Sequence, residues 1–114
     1  MTKVQARDVL VEDDSTQAGG SWTYLTNHAH VLLCLARDPE VRLRDVAQLV
    51  GITERAVTRI LMDLENSGVV EKRRVGRRNY YSVFLDLPLR HGLESHRTIG
   101  DLMRLVLGPN WVER

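Results

Sequence analysis

The stretch from Asp45 to Leu61 limits what this chain can fold into more than any other. Ala47, Gly51, Val57 and Ile60 follow one another at spacings of four, six and three residues. Two helices that cross steeply through a tight turn require such a pattern. Ala47 is small where the next helix passes close by, and Gly51 suits a left-handed backbone at the turn. Val57, Ile60, Leu61 and Leu64 then form one apolar stripe at helical spacing. The first helix is expected to be opened or capped by Asp45 and ended by Gly51. The second is expected to be capped by Thr53, to run to about Asn66 and to close with Gly68 at positive φ.

The flanks complete the pattern. A preceding helix begins near the N-cap Thr26, with Leu25, Ala29, Leu32, Leu33 and Ala36 on its core face. Asp38-Pro39 ends it, because a residue before proline avoids the helical region. Val41-Arg42-Leu43 reads as a brief extended segment. Downstream, Val69–Arg74 and Arg78–Phe84 read as strands joined through Val75-Gly76-Arg77, with Tyr81 and Val83 facing inward. Leu85–Gly92, which contains Pro88, reads as irregular. A last helix is expected from about Ser95 to Leu107, ended by Gly108-Pro109, with Ile99, Leu102, Met103 and Val106 as its stripe. The order is helix, brief strand, helix, helix, hairpin, helix. That predicts a mainly α fold with a small β-hairpin, the winged helix-turn-helix arrangement.

Length and composition agree with one small globular domain. The chain has 114 residues, 43% hydrophobic and 27% charged. Residues 1–20 are expected to be a flexible tail, with Glu12-Asp13-Asp14-Ser15 solvated, Gly19-Gly20 as a hinge and Val9-Leu10-Val11 as a short strand at most. Residues 21–92 are assigned to the winged helix and residues 93–114 to a C-terminal helix that pairs two copies. Met1–Asp14 does not read as a signal peptide, and the longest apolar run, Val31–Ala36, is too short to span a bilayer. A cytoplasmic protein with no membrane partner is expected. Cys34 is the one cysteine, which precludes an internal disulfide and fits a reducing compartment.

The distribution of charge is more informative than the net charge of +1. Lys72, Arg73, Arg74, Arg77 and Arg78 place five cations within seven positions around a tight turn, with no acid among them. Such a run repels itself unless something neutralises it, and duplex phosphates do so with release of counterions. Tyr80 is expected outward beside these cations, packing on a sugar or supporting an arginine. On the second crossing helix, burial of the apolar stripe leaves Thr53, Glu54, Arg55, Thr58 and Arg59 on the outer face. That face suits a major groove. Arg55 or Arg59 can read guanine bidentately, Glu54 can accept from cytosine, and Thr53 with the helix N-terminus can donate to phosphate. Double-stranded DNA is therefore the expected partner.

The run Asp45-Val46-Ala47-Gln48-Leu49-Val50-Gly51-Ile52-Thr53-Glu54-Arg55-Ala56-Val57-Thr58-Arg59-Ile60-Leu61, continued by Leu64–Val70, resembles the winged-helix bacterial regulators of the MarR and ArsR kind. The basic hairpin with Gly76-Arg77-Arg78-Asn79-Tyr80-Tyr81 is more similar to the ArsR kind. The resemblance covers roughly residues 22–107. It implies a homodimer on a palindromic operator, acting by default as a repressor, and in many members control by a small ligand, metal or oxidant. The hairpin lacks the aspartate-led motif of the MarR kind, and the recognition region lacks the paired cysteines of metal-sensing ArsR proteins. Architecture and DNA binding carry over; an unidentified small-molecule effector stays open.

Other signals are weaker. His30 and Cys34, four apart on one helix, could ligate a metal together with His28, His91 or His96. The alternative, that Cys34 is a small buried hydrophobe, is preferred, so no metal site and no cofactor is assigned. No phosphate loop, nucleophile elbow or zinc-protease histidine pair occurs, so an enzyme is not expected. Dimerisation is assigned to Trp22, Ile99, Leu102, Met103 and Val106, with Trp111 as a further aromatic anchor. Two other readings remain: a winged helix that binds an acidic protein through the hairpin, and a regulator switched by metal or oxidation at His30 and Cys34.

Overall fold

Thr26 accepts a hydrogen bond from the Ala29 N–H and starts the first helix, α1 (Asn27–Arg37), which Asp38 closes in an extended conformation. The structure is a computed structural model that describes residues 22–113; the expected tail of residues 1–20, with its Val9–Val11 segment, lies outside the described residues. Five further elements follow: α2 (Leu43–Val50), α3 (Glu54–Asn66), β1 (Val70–Val75), β2 (Arg78–Val83) and α4 (Ile99–Leu107).

The α2–α3 turn forms as its residues dictate. Gly51 takes φ +86° and donates its N–H to the Ala47 carbonyl, and Ile52 bonds the same carbonyl. An L side chain at that φ costs roughly 1–2 kcal/mol, which explains glycine here. Thr53 then caps α3 by accepting from the Ala56 N–H at 3.0 Å. Val57, Ile60, Leu61 and Leu64 are buried, as their spacing predicts.

The hairpin is antiparallel, with Val70 opposite Val83, Lys72 opposite Tyr81 and Val75 opposite Arg78. Gly76 and Arg77 alone make the turn, with Gly76 at φ +63°, so Val75 belongs to β1 rather than to the loop. Val70, Tyr81 and Val83 face the core. They join Val31, Leu35, Val46, Val57, Ile99 and Met103 in a single apolar cluster to which all four helices contribute.

Three expectations need correction. Val41-Arg42-Leu43 forms no strand, because Leu43 already opens α2 and the Arg42 carbonyl accepts from both Asp45 and Val46 N–H groups. The hairpin meets this connection one step earlier, where the Tyr81 N–H donates to the Pro39 carbonyl at 2.9 Å. Asp45 does not cap α2; it is the helix's third residue and pairs with Arg42 Nε at 3.2 Å. The last helix starts at Ile99, not near Ser95. Residues 87–89 run back against 97–99 through Leu89 N–H to Arg97 carbonyl and Ile99 N–H to Leu87 carbonyl bonds, both 2.8 Å, so the backbone around Ser95 belongs to a loop.

A reciprocal capping box fixes that start. Thr98 Oγ1 accepts from the Asp101 N–H, and Asp101 accepts from the Thr98 N–H at 2.9 Å. This backbone bond is the main cause that holds the Asp101 carboxyl below its ordinary value, with the Thr98 hydroxyl, Arg97 and Arg104 adding to it. A depressed carboxylate stabilises the fold above its unfolded value of 3.8, and that contribution disappears as pH falls through the lower folded value. Thr98→Ala should cost about 1 kcal/mol in chemical denaturation at neutral pH. An unchanged midpoint would mean that α4 does not depend on this cap.

Candidate nucleic-acid interface

Once α3 has buried its stripe, the opposite face has no choice but to meet solvent. Thr53, Glu54, Arg55, Thr58 and Arg59 are all exposed. The Thr58 hydroxyl donates to the Glu54 carbonyl at 3.1 Å, so its proton is used within the helix while its oxygen can still accept. The Thr53 oxygen serves as the cap acceptor and its proton remains available. Arg55 and Arg59 have no ion pair or hydrogen bond to a described residue. Two extended guanidiniums four residues apart on one helix face are thus left uncommitted. Further along α3, Asp63 is bound to His28 Nε2 of α1 at 2.8 Å, which ties the end of α3 to α1.

The hairpin carries the second group of cations, and its pleat divides them. Arg73 and Arg78 share one face with Tyr80, whereas Lys72 and Arg74 lie on the other; Arg77 occupies the turn. All five are exposed. The Arg73 guanidinium lies 5.2 Å from the Tyr80 ring centroid, so Tyr80 does support an arginine. Arg74 Nε donates to the Gly76 carbonyl at 3.1 Å and stiffens the tip. Arg78 behaves differently from its neighbours. Its Nη2 donates to the Glu40 carbonyl at 2.9 Å and anchors the turn end of the hairpin to the α1–α2 connection. Arg78 is therefore a strut as well as a cation, and only the Glu40 backbone, invisible in sequence terms, reveals it.

Alongside that strut lies a cleft of about 380 Å³ between the connection and the hairpin, to which Arg42, Arg77 and Arg78 contribute. Arg42 was not among the residues singled out by sequence, because the brief strand expected there gave it no direction.

Residues 26–71 match the family model described as winged helix-turn-helix DNA-binding. The chain has the winged helix-turn-helix fold. The matched span runs from the cap of α1 into β1, and the cationic hairpin is the wing. The solved structures that resemble the chain include two regulators. One is the zinc-dependent MarR family transcriptional regulator AdcR in its Zn(II)-bound state, 22% identical over 56% of this chain and 46% of that one, with a TM-score of 0.42. The other is the PcaV transcriptional regulator from Streptomyces coelicolor with its natural ligand, 23% identical over 77% of this chain and 64% of that one, with a TM-score of 0.47. The chain thus spans about half to two-thirds of the length of these proteins. No curated protein sequence matches it.

The residues assigned to dimerisation separate into two groups. Ile99 and Met103 are buried in the chain's own core, Met103 completely, so they have no surface to offer a second copy. Their face of α4 packs on α1. Leu102 is partly buried. Val106 at 47%, Leu105 at 79% and Trp22 at 74% exposure remain open, and Trp22 stacks edge-on against Tyr24 at 4.8 Å. Trp111 packs against the core cluster.

Burial lowers the His30 pKa and raises that of the Cys34 thiol, the latter against the pull of Arg37. Both shifts favour the uncharged forms. His30 Nδ1 is hydrogen-bonded with Asn27 Oδ1 at 3.1 Å. Among the described residues no three His, Cys, Asp or Glu side chains gather as a metal site, and no helix is long and apolar enough to cross a membrane.

Proposed function

We propose that the protein is a homodimeric, sequence-specific transcriptional regulator that reads double-stranded DNA through α3 and represses by occupying a promoter. The observation that carries this reading is the pair of uncommitted guanidiniums, Arg55 and Arg59, on the outer face of a helix whose inner face is locked into the core. A helix presented in this way fits the major groove, and the wing supplies sequence-independent phosphate contacts. The exposed edge of α4, Leu105 and Val106, together with Leu102 and Trp22, is the surface on which two copies pair. Residues 21–92 then bind DNA and residues 93–114 add the pairing helix. Two copies place their α3 helices about 34 Å apart, one turn of duplex.

The test is selection of bound fragments from genomic DNA with the purified protein. An enriched inverted repeat with half-sites one turn apart is expected. On that site Arg55→Ala or Arg59→Ala should cost about 1–3 kcal/mol while leaving binding to random duplex unchanged. Equal losses on both duplexes would show that neither arginine reads bases. Absence of any enriched sequence would contradict specific recognition and favour the reading in which the wing meets an acidic protein.

A further inference from the structure

The cleft between the β2 side of the wing, near its turn, and the α1–α2 connection has walls held in place from both sides. The Tyr81 N–H donates to the Pro39 carbonyl, and Arg78 Nη2 donates to the Glu40 carbonyl, each at 2.9 Å. Arg42, Arg77 and Arg78 are among its lining residues, three cationic residues against the one acid of the lining, Glu40. None of the three guanidiniums is used up. Arg42 spends its Nε on Asp45 and keeps its terminal nitrogens. Arg78 spends one donor on Glu40, and Arg77 has no partner among the described residues. Arginine forks arranged around a hollow match the tetrahedral oxygens of a phosphate, which accepts two parallel N–H bonds from each fork. Because the walls are already fixed, little ordering is needed when such a group enters.

We propose that this cleft seats a phosphate oxyanion between Arg42 and the wing-turn arginines Arg77 and Arg78. Two sources share this chemistry. One is a backbone phosphate of the bound duplex, and in that form the proposal rests on the DNA-binding reading above. The other is a free phosphorylated small molecule, which would occupy two arginines that the wing offers to DNA and so compete with the duplex. In either form Arg42, outside the helix that reads bases, becomes part of the binding surface.

The experiment follows the backbone amides of residues 40–43 and 77–79 and the arginine Nε–H signals by NMR. Inorganic pyrophosphate is titrated in one arm. In the other, the selected duplex is used with single phosphates replaced in turn by neutral methylphosphonate. A saturable response of these signals to pyrophosphate that also displaces duplex identifies a free-phosphate site. Silence towards pyrophosphate, with one methylphosphonate per half-site weakening the wild type but not Arg42→Gln, identifies a backbone phosphate. In whichever arm responds, Arg42→Gln should weaken binding about tenfold or more. Asp45→Asn breaks the same surface pair but keeps the guanidinium, and it should bind as the wild type does. No response in either arm, or equal losses in Arg42→Gln and Asp45→Asn, overturns the proposal. If Arg55→Ala loses site selectivity while Arg42→Gln changes nothing, the cleft fails and the DNA reading survives. If pyrophosphate binds through Arg42 and no duplex binds at all, the reverse holds.

Discussion

Replacing Lys72, Arg74 and Arg77 together by alanine should weaken binding to every duplex by about a hundredfold or more at 0.1 M salt, and flatten the salt dependence. Each phosphate contact contributes about 0.9 to the slope of log affinity against log salt, so three lost contacts should lower its magnitude by about 2.7. The choice of residues matters. Arg78 is spared because its bond to the Glu40 carbonyl holds the hairpin against the α1–α2 connection, and its removal would mix a structural loss with an electrostatic one. Arg73 is spared because its packing on Tyr80 contributes to the hairpin surface. The three chosen side chains are exposed; Arg74 alone gives up a bond, to the Gly76 carbonyl within the turn. Thermal stability should therefore hold to within the small range typical of surface substitutions, about 0.5 kcal/mol each. The loss should be the same on the selected site and on random duplex, because backbone phosphates carry no sequence. A slope that does not change, or a loss confined to the selected site, would remove these residues from the phosphate-contacting surface.

The contrast between the wing and α3 shows what a sequence of this kind discloses. The α3 stripe was legible because helical period is local: Val57, Ile60, Leu61 and Leu64 share a face whatever surrounds them. The caps Thr26 and Thr53 and the turn glycine Gly51 were legible for the same reason, since each acts on backbone within a few residues. The period of α4 was also readable, but not the body it meets. Ile99 and Met103 share a stripe with Leu102 and Val106, yet the first two fill the chain's own core and only the edge of the stripe is left outside. The start of α4 is not legible locally, because Ser95 is a plausible cap in isolation, whereas the pairing of residues 87–89 with 97–99 comes from tertiary structure. The Val41–Leu43 segment is no strand for a similar reason, since α2 takes up Leu43 and the hairpin bonds the Pro39 carbonyl instead. Charge was visible in the wing, but direction was not. The strut made by Arg78 and the convergence of Arg42 on the same cleft depend on where two distant backbones lie.

Leu35→Ala should lower the thermal midpoint by about 10–30 °C, the largest effect expected for a single truncation in this chain. Leu35 is fully buried near the end of α1, the helix that touches α2, α3, β2 and α4. Truncating a buried leucine loses the transfer energy of its methyl groups and leaves a cavity, together about 2–5 kcal/mol. A domain of this size holds about 5–15 kcal/mol in all, so the variant should fold at low temperature and be marginal when warm. A small hollow bounded by Ala36, Tyr81, Val83 and Trp111 already adjoins Leu35, and truncation would enlarge it beneath β2. The same substitution separates stability from recognition. At a temperature where the variant is fully folded, α3 and the wing keep their exposed cations, and affinity for the selected site should stay within about threefold of wild type. A fall of only a few degrees would mean that the surroundings of Leu35 collapse onto the vacated space. A large loss of DNA affinity in the fully folded variant would mean instead that α1 sets the angle between α3 and the wing, so that the core positions the reading surface as well as holding it together.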